Sequence, residues 1–349
     1  MTGFRGLTWD HPRGRDALQA AAFDGLSWDV HPLEGFESTP IDELAARYDL
    51  VVLDHPHLGD AIAAGCLRPW DEFFTTTELG RWSAAAVGAS ARSYQLDGST
   101  WALPLDAATQ VSARRADLLP VAPVTWAAAL DVDARVAPSL AGPHAFLSFC
   151  SIAISLGGDL GDEFFDPEIA GDALEILAGL AGRAPAVTAT LNPIGLLELM
   201  ATTDELAYVP LVYGYVTYSP RVSFGAPPRG EKIGSTIGGT GIAITRRAAP
   251  SPQLLEHLRW LMSDDAQVGF IPAHAGQPSA RSAWTDPAVD TAAGGFYSAT
   301  LDTIEHAWVR PRFPGYIRFQ SEASAIIREG LPDARTVGAL ARAYEGARA

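Results

Sequence analysis

The tripeptide Asp-His-Pro occurs twice near the start of the chain, as Asp10-His11-Pro12 in "GLTWDHPRG" and as Asp54-His55-Pro56 in "DLVVLDHPHLGD". A carboxylate beside an imidazole can do general acid–base work, because the ring exchanges a proton near neutral pH and the acid orients it. Asp10, His11, Asp54 and His55 are therefore the candidate catalytic residues. With His57 and with His274 of "PAHAGQP", the same side chains offer the nitrogen–oxygen mixture of a Zn, Mn or Fe site. The spacing speaks against a metal. No HExxH pattern occurs, and His55 and His57 flank Pro56, which constrains the turn. A serine hydrolase would need a G-x-S-x-G elbow, which is missing.

A second set of residues suits a sugar better than a reaction. Sugars present flat C–H faces edged by hydroxyls, so their sites combine aromatic platforms with planar polar groups. Trp9, Trp101, Tyr213, Tyr215, Trp284, Trp308 and Tyr316 are the candidate platforms, and "TWDH", "LDAATQ", "YGY", "GGTG" and "VRPRFPGY" pair aromatic with polar residues or stand beside such pairs. Asp106, Thr109 and Gln110 follow "WALP", where an acid can accept from ligand hydroxyls or cap a hinge. Gly239 and Thr240 lie in "GGTG", which has no following Lys-Ser/Thr and is no phosphate loop; its glycines suit close backbone approach. Arg310 and Arg312 could clamp a carboxylate bidentately or pair with some of the 41 acidic residues. Gln277 of "GQP" completes the ligand-binding candidates, with Trp9, Asp10, His11, Asp54, His55, His57, Asp106, Gln110, Tyr213, Tyr215, Gly239, Thr240, His274, Arg310, Arg312 and Tyr316.

The elements that must hold these residues alternate. "GLTW", "GLSWDVHPL" and "DLVVLD" read as strands, with helical spacing between them in "GRDALQAAAF" and in "STPIDELAARY", which Ser38 or Thr39 would cap ahead of Pro40. That alternation means βαβ units and a parallel sheet, in which ligands bind beyond the carboxyl ends of the strands. Both Asp-His-Pro tripeptides fall at such ends. Further on, Asp97-Gly98 signals a hairpin, Thr125 caps a helix in "VTWAAAL", and Gly157-Gly158 closes an apolar helix. "DPEIAGDALEILAGLAG" and "SPQLLEHLRWLM" read as helices, "GIAIT" as a strand, and the last sixty residues as loop around "VRPRFPGY" ending in an Ala-rich helix.

Composition sets the outer limits. A chain of 349 residues, 48% apolar and 19% charged, is an ordinary globular protein long enough for two domains. A net charge of −16 argues against a nucleic-acid partner. Cys66 and Cys150 stand alone and read as small buried hydrophobes. "MTGFRGLTWD" has no signal-peptide pattern and no apolar stretch is long enough to span a membrane, so a cytoplasmic location is expected; a removed leader would make the protein extracellular or membrane-associated.

The order and spacing of "LTWDHPRGRDALQAAAF", "YDLVVLDHPHLGDAIAAGCLRPWDEF", "YQLDGSTWALPLDAATQVSARRADLL", "VTWAAAL", "ELAYVPLVYGY", "GGTGIAITRRAAPSPQLLEHLRWLMSDDAQ" and "GQPSARSAWTDP" resemble the family 1 extracellular solute-binding proteins, the carbohydrate-type receptors of ABC importers. The resemblance implies an α/β, two-lobed periplasmic-binding-protein type II fold, each lobe a mainly parallel sheet flanked by helices, with the ligand cleft between lobes. It places residues 1–107 plus 239–306 in one lobe and 112–235 plus 310–349 in the other, with hinge crossovers near 108–111, 234–238 and 307–312. It implies a small, carbohydrate-like ligand (sugar or sugar acid), an ABC-transporter permease as partner, and no cofactor; a divalent metal at the His/Asp lip is the alternative. Its members carry a secretion signal, which this sequence does not show. The rival reading is a cytoplasmic lyase, isomerase or hydrolase on the same fold, with Asp/His acid–base chemistry on a sugar-like or carboxylate substrate.

Overall fold

Strand-forming runs and capped helices appear in the order the sequence pattern predicts. The computed structural model describes residues 3–331, 333 and 335–349; the Met1-Thr2 start lies outside them. Among the described residues there are ten strands: β1 (Phe4–Trp9), β2 (Leu26–His31), β3 (Leu50–Leu53), β4 (Leu67–Arg68), β5 (Gln95–Leu96), β6 (Ser99–Thr100), β7 (Ala102–Arg114), β8 (Tyr208–Tyr213), β9 (Ser223–Gly225) and β10 (Ile237–Thr245). The main sheet runs β2-β1-β3-β10-β7-β8, with β4 on β10 and β9 on β7.

β1 pairs in parallel with both β2 and β3, as a βαβ pattern requires. β3 is fully buried, which explains its unbroken Leu-Val-Val-Leu sequence. Parallel pairing of whole strands stops there. β10 enters antiparallel between β3 and β7, and β7 takes β8 and β9 antiparallel. Elsewhere among the described residues parallel pairing returns as the isolated bridges Thr125–Arg229, Val136–Tyr208 and Thr236–Trp308.

β7 ties the molecule together. Its first half pairs with β10 and its second half with β8 and β9. Asp106 faces Thr240 but Pro104 faces Gly241, so Leu105 is an extra residue and the ladder bulges. Gly239, at φ +90°, sits beside that bulge, where a side chain would meet the Asp106 carbonyl at 2.4 Å. One apolar core packs Leu7, Ile41, Val51, Leu58, Tyr94 and Ala243. A second packs Trp126, Phe146, Phe149, Leu177, Phe319 and Tyr344.

Caps follow the sequence at several helices. Thr125 accepts from Ala128 N at 3.2 Å, and Gly157 ends the Pro143-capped helix His144–Ser155 at φ +94°. Two expectations need correction. Neither Ser38 nor Thr39 caps Ile41–Ala45, whose N-cap is Pro40; Ser38 instead closes a separate helix, Leu33–Ser38, and donates to Glu34 O. The last sixty residues, expected as loop before one helix, hold three helices, Phe296–Glu305, Tyr316–Gly330 and Arg335–Arg348.

Candidate functional site

The carboxyl ends of β1 and β3 lie side by side because the two strands are parallel neighbours. Trp9 ends β1, Arg13 follows in the helix Pro12–Ala21, and Asp54 follows β3. Opposite them stand Ala108 of β7, Tyr213 of β8, Tyr215 beyond it, and Gly238–Thr240 of β10. The helix Leu33–Ser38, which buries none of its residues, contributes Leu33, Phe36 and Glu37. Together these residues line a half-open pocket of about 50 Å³. That is room for one or two waters, against roughly 300–1,000 Å³ for small-molecule sites, so the two sides are closed on each other.

Two ion pairs form the floor. Arg13 donates from Nε to Asp106 Oδ2 at 2.7 Å and from Nη2 to Asp106 Oδ1 at 2.6 Å, and its Nη1 donates to Gly214 O at 3.0 Å. The guanidinium also lies 4.8 Å from the Tyr215 ring and 5.6 Å from Trp9. Burial pushes the Asp106 carboxyl up while Arg13 draws it down, and the bidentate geometry holds the pair ionised. Arg310 is paired with Asp54 and donates to Gln320 Oε1 at 3.1 Å. Burial alone would raise the Asp54 carboxyl, but Arg310 and then His55 hold it well below the usual carboxylate range.

The walls are aromatic. The Tyr213 ring leaves no space for a side chain at Gly238, where a Cβ would meet it at 2.5 Å. The buried Tyr213 hydroxyl and Thr240 Oγ1 have no hydrogen-bond partner among the described residues. Burial pushes the Tyr213 phenol well up, so it remains a donor. Phe36 packs on Trp9 at 6.0 Å between ring centroids.

The expected site residues divide. Trp9, Asp54, Tyr213, Tyr215, Gly239 and Thr240 line the cavity. Asp106 lies directly behind, holding Arg13. Gln277 is a brace, accepting from Val216 N at 3.0 Å and donating to Ala107 O at 2.6 Å. Gln110 is fully buried and accepts from Ser151 Oγ at 2.5 Å, while Thr109 Oγ1 and Ser235 Oγ share a bond of 2.5 Å. Asp10 points outward to Arg15. His11 caps the helix Pro12–Ala21, accepting Arg13 N on Nδ1 at 3.2 Å, with its ring stacked on Trp9. Burial first, then Arg13 and Arg15, lower its pKa to about 4.

His55 is fully buried against Tyr94, and its Nδ1 lies 3.1 Å from Asp54 Oδ1 but out of line for a hydrogen bond. Burial and then Arg310 lower its pKa to about 4. His57 is likewise buried. His274 stacks on Phe270 and shares a 2.8 Å bond with its carbonyl. Arg312 donates to the carbonyls of Arg92, Ser93 and Gln95. Tyr316 is packed between Phe313 and Phe319 in the second core. Trp284 packs on Tyr297, Trp101 donates to Leu96 O, and Trp308 borders a separate, more open depression of about 900 Å³ with Arg92, Lys232 and Arg312.

The four candidate catalytic residues are thus not assembled into one acid–base device. Among the described residues no group of three or more His, Cys, Asp or Glu side chains is placed to hold a metal. Cys66 and Cys150 are both free thiols. Six cavity residues are not among the expected ligand-binding residues: Arg13, Leu33, Phe36, Glu37, and the small Ala108 and Gly238. The signal available for Arg13 was its place three residues after an Asp-His-Pro start; "LEGFES" offered only a weak amphipathic turn.

By sequence, the chain matches no protein-family model and no curated protein. By structure it is similar over its length to an ABC transporter solute-binding protein from Agrobacterium radiobacter K84 in complex with ribitol, with TM-score 0.81 and 21% identity over 99% of this chain and 98% of that one. A solute-binding protein from Thermotoga lettingae TMO bound with alpha-D-tagatose gives TM-score 0.84 at 14% identity over 100% of both chains. Maltose-bound MalE3 of T. maritima gives 0.79 at 16% over 99% of both. The chain therefore has the two-lobed α/β fold of the periplasmic-binding-protein type II class, the fold of ABC transporter solute-binding proteins.

Proposed function

We propose that this protein is a solute-binding protein that traps a small polar ligand of the sugar or polyol type by closing two lobes around it, in the service of an ABC-type permease. The observation that carries this reading is the cavity itself. It lies beyond the carboxyl ends of β1 and β3, has aromatic walls at Trp9, Phe36, Tyr213 and Tyr215, and draws its lining from both sides of the molecule. Residues 1–107 plus 239–306 and residues 112–235 plus 310–349 would move as the two lobes, about crossovers near 108–111, 234–238 and 307–312. Two of the apolar cores each lie within one of these ranges and, with the bulge at Leu105, support that division, while the largest core runs from Trp9 and Trp70 to Leu196 and Val222 and spans both. A cleft closed to about 50 Å³ must open to admit a sugar, which is hinge motion. No helix among the described residues is long and apolar enough to cross a membrane, so the permease would be a separate chain. Import requires that the protein meet its solute on the outer side of the membrane.

The test is titration with ribitol, tagatose and maltose, followed by calorimetry and small-angle scattering, with mass analysis of the recovered solute. Saturable binding, a changed radius of gyration and unchanged solute are expected. Conversion of a solute, abolished by His11→Ala or His55→Ala in a folded protein, would overturn the receptor reading.

A further inference from the structure

The charges around the cavity do not balance, and the imbalance bears on which solute fits. Three charged side chains line it: Arg13, Glu37 and Asp54. Arg13 is neutralised by the bidentate Asp106, and Asp54 by Arg310. Arg312, the other cation expected to clamp an anion, is spent on three backbone carbonyls. No cation in the lining is left for a ligand carboxylate. Glu37 is different. Its side chain is 21% exposed, and its one ionic neighbour among the described residues is the His144 imidazole at 3.2 Å. A lining carboxylate without an arginine partner is the place where a ligand cation would find a charge-assisted hydrogen bond.

From these contacts we infer that the site selects an amine-bearing polyol or amino sugar over its neutral and acidic counterparts, with Glu37 as the residue that sets the preference. This rests on the solute-binding reading and narrows it. An ammonium group beside Glu37 meets the one carboxylate of the lining that has no arginine partner, with the Phe36 and Tyr213 rings in the same lining available for cation–π contact. The Tyr213 hydroxyl and Thr240 Oγ1, both buried without partners, remain for the ligand's hydroxyls. A neutral sugar of the same shape keeps those contacts and loses the charge pairing. A sugar acid sets its carboxylate against Glu37, and like-charge juxtaposition is how sites reject the wrong ligand.

The experiment is calorimetric titration of the full chain with glucosamine, glucose and glucuronate, and with their open-chain relatives glucamine, sorbitol and gluconate. Each amine is expected to bind at least about tenfold more tightly than its neutral partner, and each acid more weakly than either. Glu37→Gln should bring amine and neutral to within about threefold while the thermal midpoint is kept, and Glu37→Asp should restore the order. Neutral or acidic members binding as well as the amines would overturn the inference while leaving the solute-binding reading intact. So would an amine preference that survives Glu37→Gln. A panel in which no member binds overturns the inference, and the solute-binding reading then stands or falls on the ribitol, tagatose and maltose titrations.

Discussion

The two Asp-His-Pro tripeptides have the same sequence and the same position at the end of a parallel strand, yet they do different work. After β1, Asp10 turns to solvent and pairs with Arg15, while His11 caps a ten-residue helix. After β3, Asp54 turns inward to Arg310, and the chain makes a short 3-10 turn, His55–His57, before its helix. The residue that reaches the cavity also differs: Trp9 and Arg13 around the first tripeptide, Asp54 within the second. What separates them is the cation each acid can reach. Arg15 is local and partly exposed; Arg310 arrives from the far end of the chain and is buried. A short motif fixes where its residues sit, and the long-range partner decides what they do.

The largest test of this contrast removes the partners. Arg310→Met leaves Asp54 without its cation and should cost about 3–5 kcal/mol in urea unfolding, whereas Arg15→Met should stay within about 0.5 kcal/mol. Equal losses would break the comparison. Acid titration comes next. His11 and His55 each have a folded pKa of about 4 against an ordinary 6.5, so the unfolded chain binds more protons between those values. Their contribution is complete above pH ~6.5 and is lost as pH falls toward ~4, on the order of 3 kcal/mol for each ring. Asp54, held low, adds a loss only below pH ~4, so stability should fall in two stages; Asp54→Asn should blunt the second and, because Asp54 favours the protonated His55 ring, deepen the first.

A smaller effect is expected at Gly59, which follows the second tripeptide. A Cβ there would meet the Arg312 carbonyl at 2.3 Å and the Phe313 backbone at 2.5–2.6 Å, and backbone cannot swing aside. Gly59→Ala should cost about 1–3 kcal/mol and enlarge the radius of gyration measured by scattering, since the contact joins β3's loop to the C-terminal region. An unchanged radius would mean that the contact does not hold the cleft shut. The smallest effect lies at the first tripeptide. His11→Ala should loosen the Pro12–Ala21 helix by about 1 kcal/mol, read as faster amide exchange in its first turn, and His11→Asn should restore most of it.

Much of the fold was legible because its signals are local: the apolar run of β3, the Asp97-Gly98 turn, the Thr125 cap, the glycines after Ser155. Leu33–Ser38 was not, because a helix that buries nothing carries no strong period. The site was legible where a residue's backbone position sufficed, as for Trp9, Asp54 and Tyr213. It was illegible where a distant partner decides. Arg13 looks like an exposed residue in a helical first turn until Asp106 is found 2.6 Å away. Arg312 and Tyr316 looked like ligand groups, but backbone carbonyls and neighbouring aromatic rings claim them.

The order of the main sheet bears on how the chain is made. β10 stands between β3 and β7, yet it follows β7 by roughly 120 residues. At the pace of synthesis that gap is on the order of ten seconds. Throughout it β3 and β7 each carry an unpaired edge, the kind that templates aggregation. A nascent chain that ends before Ile237 should therefore be a chaperone client and protease-sensitive, and one that has passed Thr245 should not.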